Sequence, residues 1–174
     1  RHKDDALKTE LVGFVTDFDQ LISPEVPGGA GSVPSENGGS AEVWGIESLV
    51  EYDHGLASNW TFGLPAYLSL TYTDAEFADM SGTLASNAGT FAGGRNGNEI
   101  PYIPEWKLGT GIGIAFEKWG VNLDASYNST SWGTGYNDDA RSGNASAMDG
   151  KIDALLLFDL TGHYQLTDQI KLVG

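Results

Sequence analysis

The segment Trp106-Lys107-Leu108-Gly109-Thr110-Gly111-Ile112-Gly113-Ile114-Ala115-Phe116 places Trp, Leu, Thr, Ile, Ile and Phe on one side of an extended chain and Lys, Ala and three glycines on the other. Strict alternation is the period of a β-strand with one apolar face. The two bulky aromatics close that face at its ends, ten residues apart. Ten residues at about 3.3 Å each, tilted by about 40°, rise about 25 Å, which is the height of the lipid-facing band of a transmembrane barrel between its aromatic girdles. The series Phe62, Leu64, Ala66, Leu68, Leu70 and Tyr72 repeats the spacing. These patterns predict lipid-facing positions at Phe62, Leu68, Tyr72, Trp106, Ile112 and Phe116, joined by Trp44, Tyr127 and Phe158 on the flanking segments.

Outward from this segment the chain alternates strands with connections of two kinds. Strands are expected over residues 7–22, 42–52, 60–77, 106–116, 121–132, 151–165 and 169–173. Long connections rich in small and polar residues lie near 23–40, 78–103 and 133–150, and short turns join the other pairs. Tight turns at one end and long loops at the other are the habit of transmembrane barrels, and a soluble sandwich predicts no such odd and even rule. The long loops are therefore external, and the first, third and fifth strands run outward. The expected fold class is all-β, with antiparallel up-and-down strands forming part of a transmembrane barrel over residues 1–174.

Composition narrows the partners. The 174 residues carry 24 Asp and Glu against 9 Lys and Arg, a formal charge of −15, so phosphate backbones would be repelled and nucleic acid is an unsuitable partner. There is no cysteine, which is compatible with an oxidising compartment without requiring one. No run of 18 apolar residues exists to form a transmembrane helix. Residues 1–5 are mostly charged and form no signal peptide, so a chain cut from something longer is expected. Seven strands would not close such a barrel, and an open edge in hydrocarbon leaves amides unpaired at several kcal/mol each. Five or six lipid-facing side chains per strand, each worth roughly 1.5–3 kcal/mol on burial, need an apolar partner surface. The glycines at 109, 111 and 113 predict close approach of something inside the barrel.

Catalytic and metal patterns are thin. Glu47 and Glu51 share a strand face but lie about 13 Å apart along it, beyond either separation used in glycoside hydrolysis. Asn137, Asp138 and Asp139 lack the alternate ligands and terminal Glu of a calcium loop. His2, His54 and His163 are scattered, no nucleophile elbow occurs, and Gly93-Gly94-Arg95-Asn96-Gly97 precedes no helix that would make it a phosphate loop. Three glycosylation sequons, at Asn59, Asn128 and Asn144, would be accidental if the context is a bacterial outer membrane. No enzymatic activity is expected.

Several segments resemble TonB-dependent outer-membrane receptors. Asn98-Glu99-Ile100-Pro101-Tyr102-Ile103-Pro104-Glu105 is similar to the family's G-x-x-I/L-P-Y-x-P-E strand opening, and residues 11–22 resemble its "lFynDydnli" strand. Gly45-Ile46-Glu47 resembles the "GvE" opening, and Leu70-Thr71-Tyr72-Thr73-Asp74-Ala75-Glu76-Phe77 resembles "sYTytdaeF" of the ferric dicitrate branch. The resemblance implies the C-terminal part of a 22-stranded barrel that imports a scarce iron chelate. Its partners would be the ferric chelate as transported ligand, the TonB complex through an N-terminal region, and lipid and lipopolysaccharide, with no covalently bound cofactor. The plug domain, the TonB-binding box and the final strands are not matched, so this piece would not transport alone.

An anionic ferric chelate requires cations and planar donors. Arg95 and Arg141 are the arginines of the expected external loops, with Tyr102, Trp132, Tyr136 and Asn137 near them in sequence. These six are the candidate ligand-binding residues, and no metal-ligating protein residues are expected. Two other readings stay open: a barrel for another nutrient such as cobalamin or an oligosaccharide, or a porin, decided by whether a plug exists; and a soluble β-sandwich binding module, which would show a second sheet packed on the apolar face.

Overall fold

The computed structural model describes residues 6–19, 21–23, 36–37, 39–80, 91, 93–138 and 150–174. In chain order the elements are β1 (Leu7–Phe18), β2 (Ile22–Ser23), β3 (Glu36–Asn37), β4 (Ser40–Asp53), α1 (His54–Ala57), β5 (Pro65–Asp79), β6 (Trp106–Ala115), β7 (Trp119–Asn128), β8 (Ser131–Trp132), β9 (Lys151–Ile152), β10 (Leu155–Thr167) and β11 (Ile170–Val173). Seven of them form one sheet in the order β1-β4-β5-β6-β7-β10-β11, every neighbour antiparallel. The pairs β2 with β3 and β8 with β9 are two-residue ladders in the long connections. This is the antiparallel meander of a barrel wall, open at β1 and β11.

Register explains why one face is apolar from strand to strand. A one-residue slip would turn every side chain to the other face, so parity must be kept through each pairing. Leu7, Tyr52, Ala66, Ile112, Leu123 and Leu160 lie in one row across six strands. The next row runs Thr9, Val50, Leu68, Thr110, Ala125 and Phe158, and the third runs Leu11, Ser48, Leu70, Leu108, Tyr127 and Leu156. For β1, whose two faces both carry apolar residues, pairing assigns Leu11 and Val15 to this face and Val12 and Phe14 to the other. Among the described residues no second sheet covers these rows. Phe158 is 67 % exposed, whereas Phe77, on the opposite face, is 1 % exposed.

Aromatic rings gather at both ends of the apolar rows. At the end with short turns, His54, Trp60, Phe62, Phe116 and Trp119 form a continuous chain of ring contacts with centroids 4.4–5.0 Å apart. At the other end Trp44, Tyr72 and Trp106 are linked at 5.4 and 4.7 Å. Such edge and offset contacts add roughly 0.5–1.5 kcal/mol per pair beyond burial.

The structure corrects the expected elements at their ends. Residues 60–64 are not part of the third expected strand: Phe62 sits in a bend and reaches its place by stacking on Phe116, with only Gly63 bridging to Ala115. The connection before it contains a helical turn, α1, because the Asp53 carboxylate accepts hydrogen bonds from the amides of both Leu56 and Leu64, at 3.0 Å each. Gly55 is required there, since a Cβ would strike the backbone at Phe62 to Leu64. The first expected strand ends at Phe18 rather than residue 22, the fifth at Asn128 rather than 132, and the sixth begins at Leu155 rather than 151.

The glycines of β6 are likewise explained differently. Side chains of this chain fill the space they leave. The Tyr67 ring from β5 crosses over Gly111, and its hydroxyl donates to Asp124 Oδ1 on β7 at 2.9 Å. Ser69 lies against Gly109 and Asn122 against Gly113. A bridge between two strands across a third needs a middle strand without side chains. Gly111→Ala would push both Tyr67 and Asp124 aside and should lower the unfolding free energy of the full-length barrel by about 1–3 kcal/mol in urea titration. In a Tyr67→Phe background, where no hydrogen bond remains to lose, the same substitution should cost clearly less.

Candidate functional site

At the end of the sheet that bears the long connections, the face opposite the apolar rows changes character. Toward the other end it carries polar and charged groups, such as Lys8 paired with Glu51 at 2.9 Å. Near the long connections it presents Ala41, Val43, Ala75 and Phe77, and Phe91, Ile100 and Ile103 of the connection that follows β5 pack over them. Ile100 is buried in this cluster, Ile103 and Met80 pack against it, and the Phe91 ring meets Phe77 edge-on at 5.7 Å. Burying these side chains holds a long connection against the wall, which polar turn residues alone would not do.

The backbone of this connection first continues the β5 ladder and then leaves it. Gly97 N donates to Phe77 O, Phe77 N to Asn98 O, and Ile100 N to Ala75 O, at 2.8–2.9 Å. Pro101 and Pro104 have no amide to offer a ladder, so residues 101–104 arch away until Thr73 N meets Glu105 O at 2.8 Å. At the arch Tyr102 adopts a left-handed conformation, φ 62°, and its amide donates to Trp132 O at 2.8 Å.

A second connection lies beside the arch. After β7, Ser129 exchanges hydrogen bonds with Trp106, and the β8 pair Ser131 and Trp132 meets β9, placing Lys151 Nζ 4.9 Å from the centre of the Trp132 ring. Beyond it, Asn137, also left-handed at φ 49°, turns its carboxamide onto the backbone of Glu99. Glu99 N donates to Asn137 Oδ1 at 2.5 Å and Asn137 Nδ2 donates to Glu99 O at 3.0 Å. Asn98 Nδ2 donates to Gly135 O at 2.7 Å, and the Tyr136 ring covers Gly93, whose φ of +73° and lack of Cβ the contact requires.

Tyr102, Trp132, Tyr136 and Asn137 are thus brought into one cluster of two connecting segments. Arg95 lies exposed on the first segment, two residues past Gly93. Arg141 lies outside the described residues. The Asn137 side chain is engaged with backbone, and Tyr102, Tyr136 and Trp132 leave their rings at least partly exposed. Sequence reading missed Gly93, Asn98 and Lys151. The density of Gly and Asn at 93–98 signalled unusual backbone there, but the pairing of Lys151 with Trp132 spans a long connection and left no local trace. Among the described residues no group of three or more His, Asp or Glu is arranged to hold a metal ion.

The family described as TonB dependent receptor-like, beta-barrel, matches residues 1–174. Among solved structures, the chain is similar to the crystal structure of the ferric citrate transporter FecA in its unliganded form, with a TM-score of 0.67 and 22 % identity. That alignment covers 96 % of this chain and 22 % of the transporter, so the chain spans about a fifth of the length of the structure it matches. At this identity the likeness concerns fold. No curated protein matches in sequence.

Gly93→Ala should dislodge Tyr136 and open the cluster. Limited proteolysis of the full-length protein should then cut residues 93–98 several-fold faster, while heat-modifiable gel mobility of the barrel stays unchanged.

Proposed function

We propose, from the premise that this chain belongs to the TonB-dependent receptor-like β-barrel family of the outer membrane, that it forms part of the wall and external loops of a receptor for a ferric chelate of the citrate type. The observation that supports its place in the membrane is the set of apolar rows running across six strands, exposed and ended by aromatic rings on both sides. In this reading Trp44, Phe62, Leu68, Tyr72, Trp106, Ile112, Phe116, Tyr127 and Phe158 meet lipid, and lipopolysaccharide surrounds the outer end. The Gly111 face looks into the lumen, and the long connections are external. The neighbouring strands, a plug and the coupling to TonB belong to the whole receptor.

The chelate assignment is supported by the chemistry of the external segments. Arg95 carries a guanidinium suited to a carboxylate or a chelated oxyanion, and the partly exposed rings of Tyr102, Trp132 and Tyr136 on the same pair of segments supply planar surface. Strong overall negative charge disfavours anionic ligands elsewhere on the molecule, so the few cations of the loops would govern where such a ligand settles. Fold likeness to a ferric citrate transporter is consistent with this choice.

Two experiments test the reading. Leu68→Arg in the full-length protein should destabilise the folded barrel in liposomes by about 2–4 kcal/mol, the cost of a charge on the lipid face near the midplane. A water-exposed Leu68 would tolerate arginine within about 0.5 kcal/mol. Arg95→Ala and Arg141→Ala should each weaken ferric citrate binding to the full-length receptor by about ten-fold, the loss of one charge-assisted contact. Unchanged affinity in both variants would remove the arginines from the site.

A further inference from the structure

The geometry points to Asn137 as a positioning residue that fastens the two external segments, 93–102 and 131–138, into a single body. A carboxamide presents an N–H donor and a C=O acceptor side by side as a peptide group does, with a second N–H to spare, so it can take the place of a neighbouring strand. Asn137 does this for Glu99, contacting both the amide and the carbonyl of one residue. Its own amide and its Nδ2 return to Thr134 O, so the clamp is braced from within its segment. Glu99 needs such a partner because its neighbours Asn98 and Ile100 hydrogen-bond through their backbone to β5, which leaves the Glu99 amide and carbonyl on the opposite edge.

Three further contacts lie along the same seam. Asn98 donates to Gly135 O, the Tyr102 amide donates to Trp132 O, and Gly93 receives the Tyr136 ring. The first segment is anchored on the wall through Ile100, whereas the described part of the second, residues 131–138, includes none of the cluster residues beneath the first. Residues 131–133 are also paired with 150–152, so it is residues 134–138 that the first segment holds, and Asn137 makes the two-point contact between them. On the receptor reading above, a ligand touching Tyr136 is then felt at Arg95. The clamp itself does not depend on what the ligand is.

Amide hydrogen exchange on the full-length, ligand-free protein in detergent tests this, with fragmentation that resolves Glu99 and Tyr102. Asn137→Gly keeps the left-handed backbone and removes the carboxamide. Exchange at Glu99 should rise at least about ten-fold, and exchange at Tyr102, which Asn137 does not touch, should rise with it. Asn137→Asp keeps the acceptor, so Glu99 should retain part of its protection relative to Asn137→Gly. Unchanged heat-modifiable mobility shows that the barrel is intact in each variant. A rise at Glu99 alone would mean two independent segments, and no rise at either would mean no clamp. Equal exchange in the Asp and Gly variants would overturn the acceptor role. Titration of the wild type with ferric citrate separates the two claims: absence of binding would overturn the chelate reading and leave the exchange result standing.

Discussion

Backbone pairing is the constraint on which the rest of the structure depends. A sheet with one face in hydrocarbon cannot satisfy its amides with water on that side, so each strand must find its partners in the next, in register, for its whole crossing. The ladder between β4 and β5 runs from Ser40 with Asp79 to Asp53 with Pro65, its one irregularity lying at the end beside Ser40. Pairing of this kind transmits parity from strand to strand. Once Ile112 is on the apolar face, Ala66, Tyr52 and Leu7 on one side and Leu123 and Leu160 on the other have no choice. This is why β1, ambiguous by its own composition, acquires a defined orientation only from Trp44 and Ile46 beside it.

The opposite face solves a different problem at each end. Along the middle of the wall, side chains lie flat across the glycines of β6, so that Tyr67 reaches Asp124 and charged groups such as Glu51 are answered by Lys8. Toward the end with the long connections the same face becomes apolar and serves as the seat for one of them. The prolines of the Ile100-Pro101-Tyr102-Ile103-Pro104 run break the ladder where the chain must leave the wall, and the Tyr102 amide between them is taken up by the next connection. Among the described residues, wall and connections are thus hydrogen-bonded to one another, and regular pairing outside the wall is confined to two-residue ladders.

The alternating segments were legible because a single period of two runs through each strand, and the positions of aromatic residues marked how far the apolar face extends. The ends were less so. Phe62 continues the alternation in sequence yet stands outside the strand, because stacking on Phe116 needs the ring and not the extended backbone. The helical turn after Asp53 is too short to show a period, and it exists through one carboxylate serving amides eight residues apart. At the candidate site, residue types were readable but not their work: Asn137 looked like a ligand contact and is engaged with Glu99.

By itself the amino-acid sequence determined that the chain forms strands with one greasy face, where that face begins and ends, and which connections are long. These properties are local, written in side chains two residues apart. Only the tertiary structure decided the face of β1, the partner of each glycine in β6, and the joining of two long connections. Each of those depends on which residues stand opposite one another across a hydrogen-bonded register or a long connection, and no periodicity within one segment carries that information.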